Sequence, residues 1–283
     1  MGRVTRRVPR TRFDLREVPA RVVTHPDTVV VEEPLQIRVD GVPVTTTMRT
    51  PGDDFDLALG HVLAEGLVGE PADVATMMHC TDLDADGRPT FNVVELTLRP
   101  GARLRREPVA RTEVTSSACG ICGKQSIDDA LAEVGAGVHA DETSLPAALL
   151  PGLTTALRER QTVFDRTGGL HAAALFGPPP DPACLVVRED VGRHNAVDKV
   201  IGWAARSARL PLTGHTLVVS SRAGFEIVQK AVAAGVPVVV AVGAATSLAV
   251  DLARESGLTL VGFARDTSVA AYTRPDRLTT LAR

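Results

Sequence analysis

Two thiols are the residues best placed by type and spacing to do chemistry. Cys119 and Cys122 stand three apart in Ser116-Ser-Ala-Cys-Gly-Ile-Cys-Gly-Lys124. The flanking glycines let the backbone turn tightly and leave both sulfurs approachable. A helix is expected from about residue 125 to 134, with Lys124 just before it. A helix N-terminus and a nearby cation both favour the thiolate, which is the reactive form. Three chemistries fit such a pair: half of a zinc site, a dithiol–disulfide couple, or a persulfide carrier. The bland alternative is an incidental exposed pair. A structural zinc site needs about four N or S ligands. No second Cys-x-x-Cys exists, and His79-Cys80 is a lone, oddly spaced addition. A thioredoxin-like motif belongs just after the first strand of a compact β/α unit, whereas this one lies mid-chain. Composition alone does not separate redox chemistry from sulfur transfer.

Further polar clusters fall at element boundaries. Arg188-Glu-Asp-Val-Gly-Arg-His-Asn-Ala-Val-Asp-Lys199 gathers hydrogen-bonding groups at the start of a helix, as a site or as an ordinary polar interface. Ser220-Ser-Arg-Ala-Gly224 joins a buried strand to a helix. Its small residues leave the helix N-terminus open to an anion such as phosphate. Gly168-Gly-Leu-His171 precedes a strand. Phe263-Ala-Arg-Asp-Thr-Ser268 follows the last expected strand and offers a ring to pack on a base and an Arg for phosphate. Cys80 and Cys184 are read as structural.

The elements that must position these groups follow from periodicity. Leu35 to Val39, Asp40-Gly41, then Val42 to Met48 read as a hairpin. A helix runs from Asp53 or Asp54, as cap, to about Leu67, and a strand from Phe91 to Leu98. Ser144 is expected to cap a helix whose Leu149, Leu150, Leu153 and Leu157 keep helical spacing. Strands at 170–176 and 184–188 flank a Pro-rich turn. Helices at 191–207, 225–234 and 247–256 then alternate with strands at 216–220, 236–242 and 258–263. That order requires a largely parallel sheet covered on both faces. The hairpin makes it mixed. The expected fold is therefore α/β, a mixed sheet with helices on both faces plus a smaller β-rich N-terminal subdomain. The boundary is expected near residues 105–115, giving parts 1–110 and 111–283.

Composition excludes several classes. Lys+Arg is 31 against 34 for Asp+Glu, so no general nucleic-acid footprint exists. Aromatic residues are 3%, too few for base-stacking platforms. The longest apolar run, Val236 to Ala245, is broken by Pro237 and Gly243 and falls short of a membrane span of ~20 residues. Met1 to Arg21 carries seven Arg and two acids and reads as a frayed basic tail. No apolar region follows Arg6-Arg7, so export is not expected. A reducing, cytoplasmic setting follows, where paired cysteines are more often catalytic or metal-binding than structural.

Taken in order, Ser117-Ala-Cys-Gly-Ile-Cys-Gly-Lys124, Thr167-Gly-Gly-Leu-His171, Glu189-Asp-Val-Gly-Arg-His-Asn-Ala-Val-Asp-Lys199, Ser220-Ser-Arg-Ala-Gly-Phe-Glu226 and Gly262-Phe-Ala-Arg265 resemble the formate dehydrogenase accessory sulfurtransferase family. The resemblance runs from about Glu32 to Leu278. It implies a sulfur carrier between a cysteine desulfurase and bis-molybdopterin guanine dinucleotide, serving formate dehydrogenase. Cys119 maps to the persulfide carrier and Cys122 to its companion. Phe263, Ala264, Arg265, Asp266, Thr267 and Ser268 map to the cofactor-binding segment, and Arg222 with Gly224 is a second expected anion contact. A homodimer without intrinsic metal is implied, as is a cytidine-deaminase-like fold. Deaminases place zinc ligands at two helix starts, here His194 and the Ser220-Ser221-Arg222 turn. The second has no Cys, so no deaminase activity is expected. One departure is Ala270, where the family pattern has Asn. The competing functions are a cofactor chaperone that carries no sulfur and a dithiol oxidoreductase.

Overall fold

The computed structural model describes residues 4–80, 87, 89–105 and 138–280. Cys119, Cys122, Lys124, the helix expected at 125–134 and the domain boundary from residue 106 onward lie outside the described residues. In chain order the strands and helices are β1 Thr5–Asp14, β2 Arg21–Val30, β3 Glu33–Val39, β4 Val42–Arg49, α1 Asp54–Ala64, β5 Val74–His79 and β6 Val93–Leu98. Next come β7 Leu145–Pro146, α2 Leu150–Glu159, α3 Thr162–Thr167, β8 His171–Phe176, β9 Cys184–Asp190 and α4 Arg193–Arg206. The chain continues with β10 Thr216–Val219, α5 Phe225–Ala233, β11 Val238–Ala241, α6 Ser247–Glu255, β12 Thr259–Arg265, β13 Ser268–Ala271 and β14 Leu278–Thr279.

The main sheet has the order β13-β12-β11-β10-β8-β9. β10, β11 and β12 are parallel, while β8, β9 and β13 each run antiparallel to their inner neighbour. Alternate side chains split between two cores, as the strand period of two requires. Leu217, Val219, Val239 and Ala241 pack under α4, α5 and α6. Val218, Val238 and Val240 pack under Leu150, Leu153 and Leu157 of α2. Both faces are thus covered, and the short strands are apolar on each side for that reason.

A second sheet, β4-β3-β6-β5, buries Leu35, Ile37, Val94 and Leu96 against Leu57, Ala58 and Val62 of α1. The hairpin of β3 and β4 forms as expected but lies in this separate sheet. The mixed character of the main sheet comes instead from β8, β9 and β13. Helix α1 packs directly on α4. A Cβ on Gly60 would collide with the Asp198 carbonyl, and one on Gly202 with that of Asp56. Backbone contact at both glycines brings the two sheets' helices together.

Polar groups pin the same junction. Lys199 Nζ sits 2.7 Å from Asp190 Oδ2 and donates to the Thr50 carbonyl at 3.0 Å. Asn195 Nδ2 donates to Asp190 Oδ1 at 3.0 Å and to the Met48 carbonyl at 2.7 Å. The polar segment Arg188–Lys199 therefore spends much of its hydrogen-bonding capacity fastening β4 to β9 and α4. Deeper in, Lys230 lies 2.8 Å from Asp198 and 3.4 Å from Glu65. Burial works against its charge, but these carboxylates outweigh it and raise its pKa.

Four expectations are corrected. The N-terminus is not a frayed tail: β1 and β2 form a ten-residue-per-strand antiparallel ribbon from Thr5↔Val30 to Asp14↔Arg21. Ser144 does not cap a helix. The chain first pairs as β7 with β14, turns through 147–149, and starts α2 at Leu150. The first helix ends at Ala64, and Asp53, at φ 53°, makes no side-chain cap. Finally, β12 is not the last strand: Arg265 pairs with Ser268 across a tight turn, and β13 returns along the sheet edge.

A candidate cofactor cleft at the carboxyl edge of the sheet

The carboxyl ends of β9, β10, β11 and β12 converge on one edge, together with the first residue of β8. Ligand sites in open α/β sheets favour this edge. Here it holds a cleft of about 700 Å³. That volume is in the range of small-molecule and cofactor sites. One wall is the end of β12, with Ala264, Arg265 and Asp266; the floor is His171, Val191, Ser220 and Val242. The opposite wall is α2 and α3, through Thr154, Arg158, Gln161 and Phe164, and the Gly168-Gly169 turn.

Local sequence explains the β12 wall. The register slips between Gly262 and Arg265, and Phe263 sits in that bulge at φ 50°. A bulge re-aims side chains. Phe263 is thereby turned outward, 49% exposed, while Ala264 is buried in the core under α2. Arg265 extends along the edge and donates from Nε to the Val242 carbonyl at 3.2 Å. Asp266, at φ 45°, makes the turn into β13.

On the floor, Ser220 Oγ accepts from the Ala172 amide at 2.9 Å, fixing the turn after β10. His171 is held below its ordinary pKa, chiefly by burial and then by the charges of Arg193 and His194. It therefore favours the neutral ring, one nitrogen donating and the other accepting. Beside the floor, His194 Nε2 stands 2.9 Å from Glu226 Oε2. Burial pushes the Glu226 carboxyl up, but His194 and Lys230 outweigh it and its pKa is lowered.

The opposite wall is fixed from behind. Arg158 stacks over the Phe164 ring at 4.9 Å and pairs with Asp165 at 2.5 Å. Gly168 ends α3 in the left-handed region at φ 66°, where glycine is free of strain.

Of the expected cofactor residues, Ala264, Arg265 and Asp266 line the cleft. Phe263 faces solvent, and Thr267 and Ser268 form the turn and the start of β13, outside the lining. His171 and Ser220 reach the floor, but Arg222 and Gly224 are not part of the lining. Sequence reasoning missed the wall of Thr154, Arg158 and Gln161. The nearby Gly168-Gly169 was the available signal. Cys184 lies in β9 as a free thiol that burial pushes up in pKa, against the weaker pull of Arg160. Among the described residues no group of three or more His, Cys, Asp or Glu is arranged to hold a metal ion. No helix among them is long and apolar enough to cross a membrane.

Comparison with known proteins bears on the whole chain. A relative in Mycobacterium tuberculosis is 52% identical over 263 residues, covering 92% of this chain and 94% of the relative. One in Streptomyces coelicolor is 50% identical over 280 residues, covering 98% and 97%. Both are named sulfur carrier protein FdhD. The crystal structure of a protein described as a formate dehydrogenase accessory protein from Desulfotalea psychrophila shares the fold. Its TM-score is 0.74 at 18% identity, over 98% of this chain and all of that one. With the FdhD/NarQ family model matching residues 30–279, from the end of the N-terminal ribbon to β14, the chain belongs to the FdhD/NarQ family.

Proposed function

We propose that this protein is a cytoplasmic sulfur carrier, acting as a homodimer. It takes sulfur from a cysteine desulfurase onto Cys119 and hands it to bis-molybdopterin guanine dinucleotide on the way to formate dehydrogenase. The observation that carries this reading is the identity of about half over more than nine-tenths of the chain to relatives named sulfur carriers. The thiol pair supports it chemically. In the loading step the Cys119 thiolate attacks the outer sulfur of the desulfurase persulfide. The desulfurase S–S bond breaks, its thiolate leaves, and Cys119–S–SH forms with no net oxidation. In the release step the Cys122 thiolate attacks the inner sulfur of Cys119. Hydrosulfide leaves for the acceptor's metal, and a Cys119–Cys122 disulfide remains for a cellular thiol to reduce.

The cleft suits one nucleotide end of the acceptor, which is a substrate here. Arg265 is a fork of donors for phosphate. Its neighbour Asp266 is a carboxylate acceptor for ring and exocyclic N–H groups of guanine, and His171, which favours the neutral ring, is a hydrogen-bonding group on the floor. The ring of Phe263, beside Ala264 but outside the lining, is exposed to solvent.

Complementation tests the reading. In cells lacking the native gene, Cys119→Ala should abolish formate dehydrogenase activity. Activity retained at the wild-type level overturns the sulfur-carrier step and leaves a cofactor chaperone. A protein that cycles a Cys119–Cys122 disulfide but never gains sulfur is instead a dithiol oxidoreductase.

A further inference from the structure

The wall formed by α2 and α3 is anchored by one carboxylate from the outer strand of the sheet. Glu189, on β9, accepts from the Val163 amide at 2.9 Å through Oε2 and from the Phe164 amide at 2.8 Å through Oε1. Those amides belong to the first turn of α3, whose own N-cap, Gln161, provides no side-chain cap. Helix ends leave such amides without intrahelical partners, and Glu189 satisfies two with one rigid group. The consequence reaches the cleft, because Phe164, Gln161 and Gly168 all line it. Arg158 stacks on the same Phe164 ring. The turn that ends α3 packs on the ribbon as well: a Cβ on Gly169 would stand 3.2 Å from Val30 Cγ1.

We propose that Glu189 is a positioning residue for nucleotide binding, setting the distance between the α2–α3 wall and Arg265. It touches no ligand itself and acts through α3. The inference rests on the cleft being the guanine nucleotide site.

The test is titration calorimetry of the full chain with guanosine diphosphate, for wild type, Glu189→Gln and Glu189→Ala. Hydrogen exchange is followed at the Val163 and Phe164 amides. Glu189→Ala should bind about tenfold more weakly, the equivalent of one ordered polar contact. Its two amides should exchange faster. Glu189→Gln should recover part of the affinity, since its amide oxygen still accepts one bond, and it carries the test if the Ala variant does not fold. Loading of Cys119 by a desulfurase should be unchanged in both. Equal affinity in all three proteins, with faster exchange in the variants, overturns the role given to Glu189 alone. No binding by wild type overturns the reading of the cleft, and the role of Glu189 with it.

Discussion

At the amino edge of the six-stranded sheet the Arg277 guanidinium is 3% exposed and closes over backbone carbonyls. Nη1 donates to Gly257 at 2.7 Å and Pro237 at 3.3 Å, just before β12 and β11. Nη2 donates to Val138 at 2.9 Å and Asp141 at 2.6 Å, and Asp141 in turn accepts from the Gly214 amide at 2.8 Å, just before β10. At the carboxyl edge Arg265 is exposed and spends one bond on Val242, with the rest of its fork turned to a cleft. The same side chain serves two ends. Where loops are packed away from water, the two terminal nitrogens of the planar fork satisfy carbonyls that otherwise lose hydrogen bonds outright, and only Nε stays without a partner among the described residues. Where the loops must receive a ligand, the donors are left unspent. Burial even lowers the pKa of Arg277, with Arg274 adding to it and Asp141 and Asp276 pulling the other way.

The contrast can be broken by substitution, and the largest effect is expected at the sheet junction. Lys199→Met should destabilise by about 4 kcal/mol, because it strands the Asp190 carboxylate, 0% exposed, without its cation. Chemical denaturation measures this; a loss under about 1 kcal/mol would mean that water reaches Asp190. Arg277→Ala comes next, at about 3 kcal/mol, from carbonyls left without donors. Arg277→Lys should recover little, since an ammonium cannot span the same fork of acceptors. By contrast, Arg265→Ala should change stability by no more than about 0.5 kcal/mol while weakening guanosine diphosphate binding about tenfold. Destabilisation comparable to Arg277→Ala would abolish the distinction between the edges.

The smallest effect sharpens it through pH. Glu226 has a lowered pKa in the folded protein, against an ordinary value of 4.5. Its contribution is therefore present above about pH 4.5 and lost as pH falls through the lower folded value. Glu226→Gln should flatten the stability profile in that acid window and leave it unchanged near neutrality apart from a constant offset. An unchanged acid limb would show that His194 does not hold the carboxylate ionised.

The alternating strands and helices from 171 to 265 were legible because β8, β10 and β11 are short apolar runs with two buried faces. The ribbon was not. Val8, Pro9, Arg10 and Thr11 on β1 bury no common face, so no period of two marks them. The start of α2 was misread because Leu145 and Pro146 pair with Leu278 and Thr279, a contact more than a hundred residues away that no local signal carries. In the site, Ala264 to Asp266 were legible from their place at the carboxyl end of a buried strand. Thr154 and Arg158 were not, since in sequence they are ordinary polar residues on an amphipathic helix. Glu189 stood in plain view within a polar motif, but its partners are backbone amides, which have no sequence signature.

The most direct test of the sulfur-carrier account is the intact mass of the protein after incubation with a cysteine desulfurase and cysteine, without reductant. The account predicts a gain of one sulfur that maps to Cys119 and is absent from Cys119→Ala. No gain of sulfur on Cys119 when Cys122→Ala, which cannot close the disulfide of the release step, is loaded in the same way would contradict it.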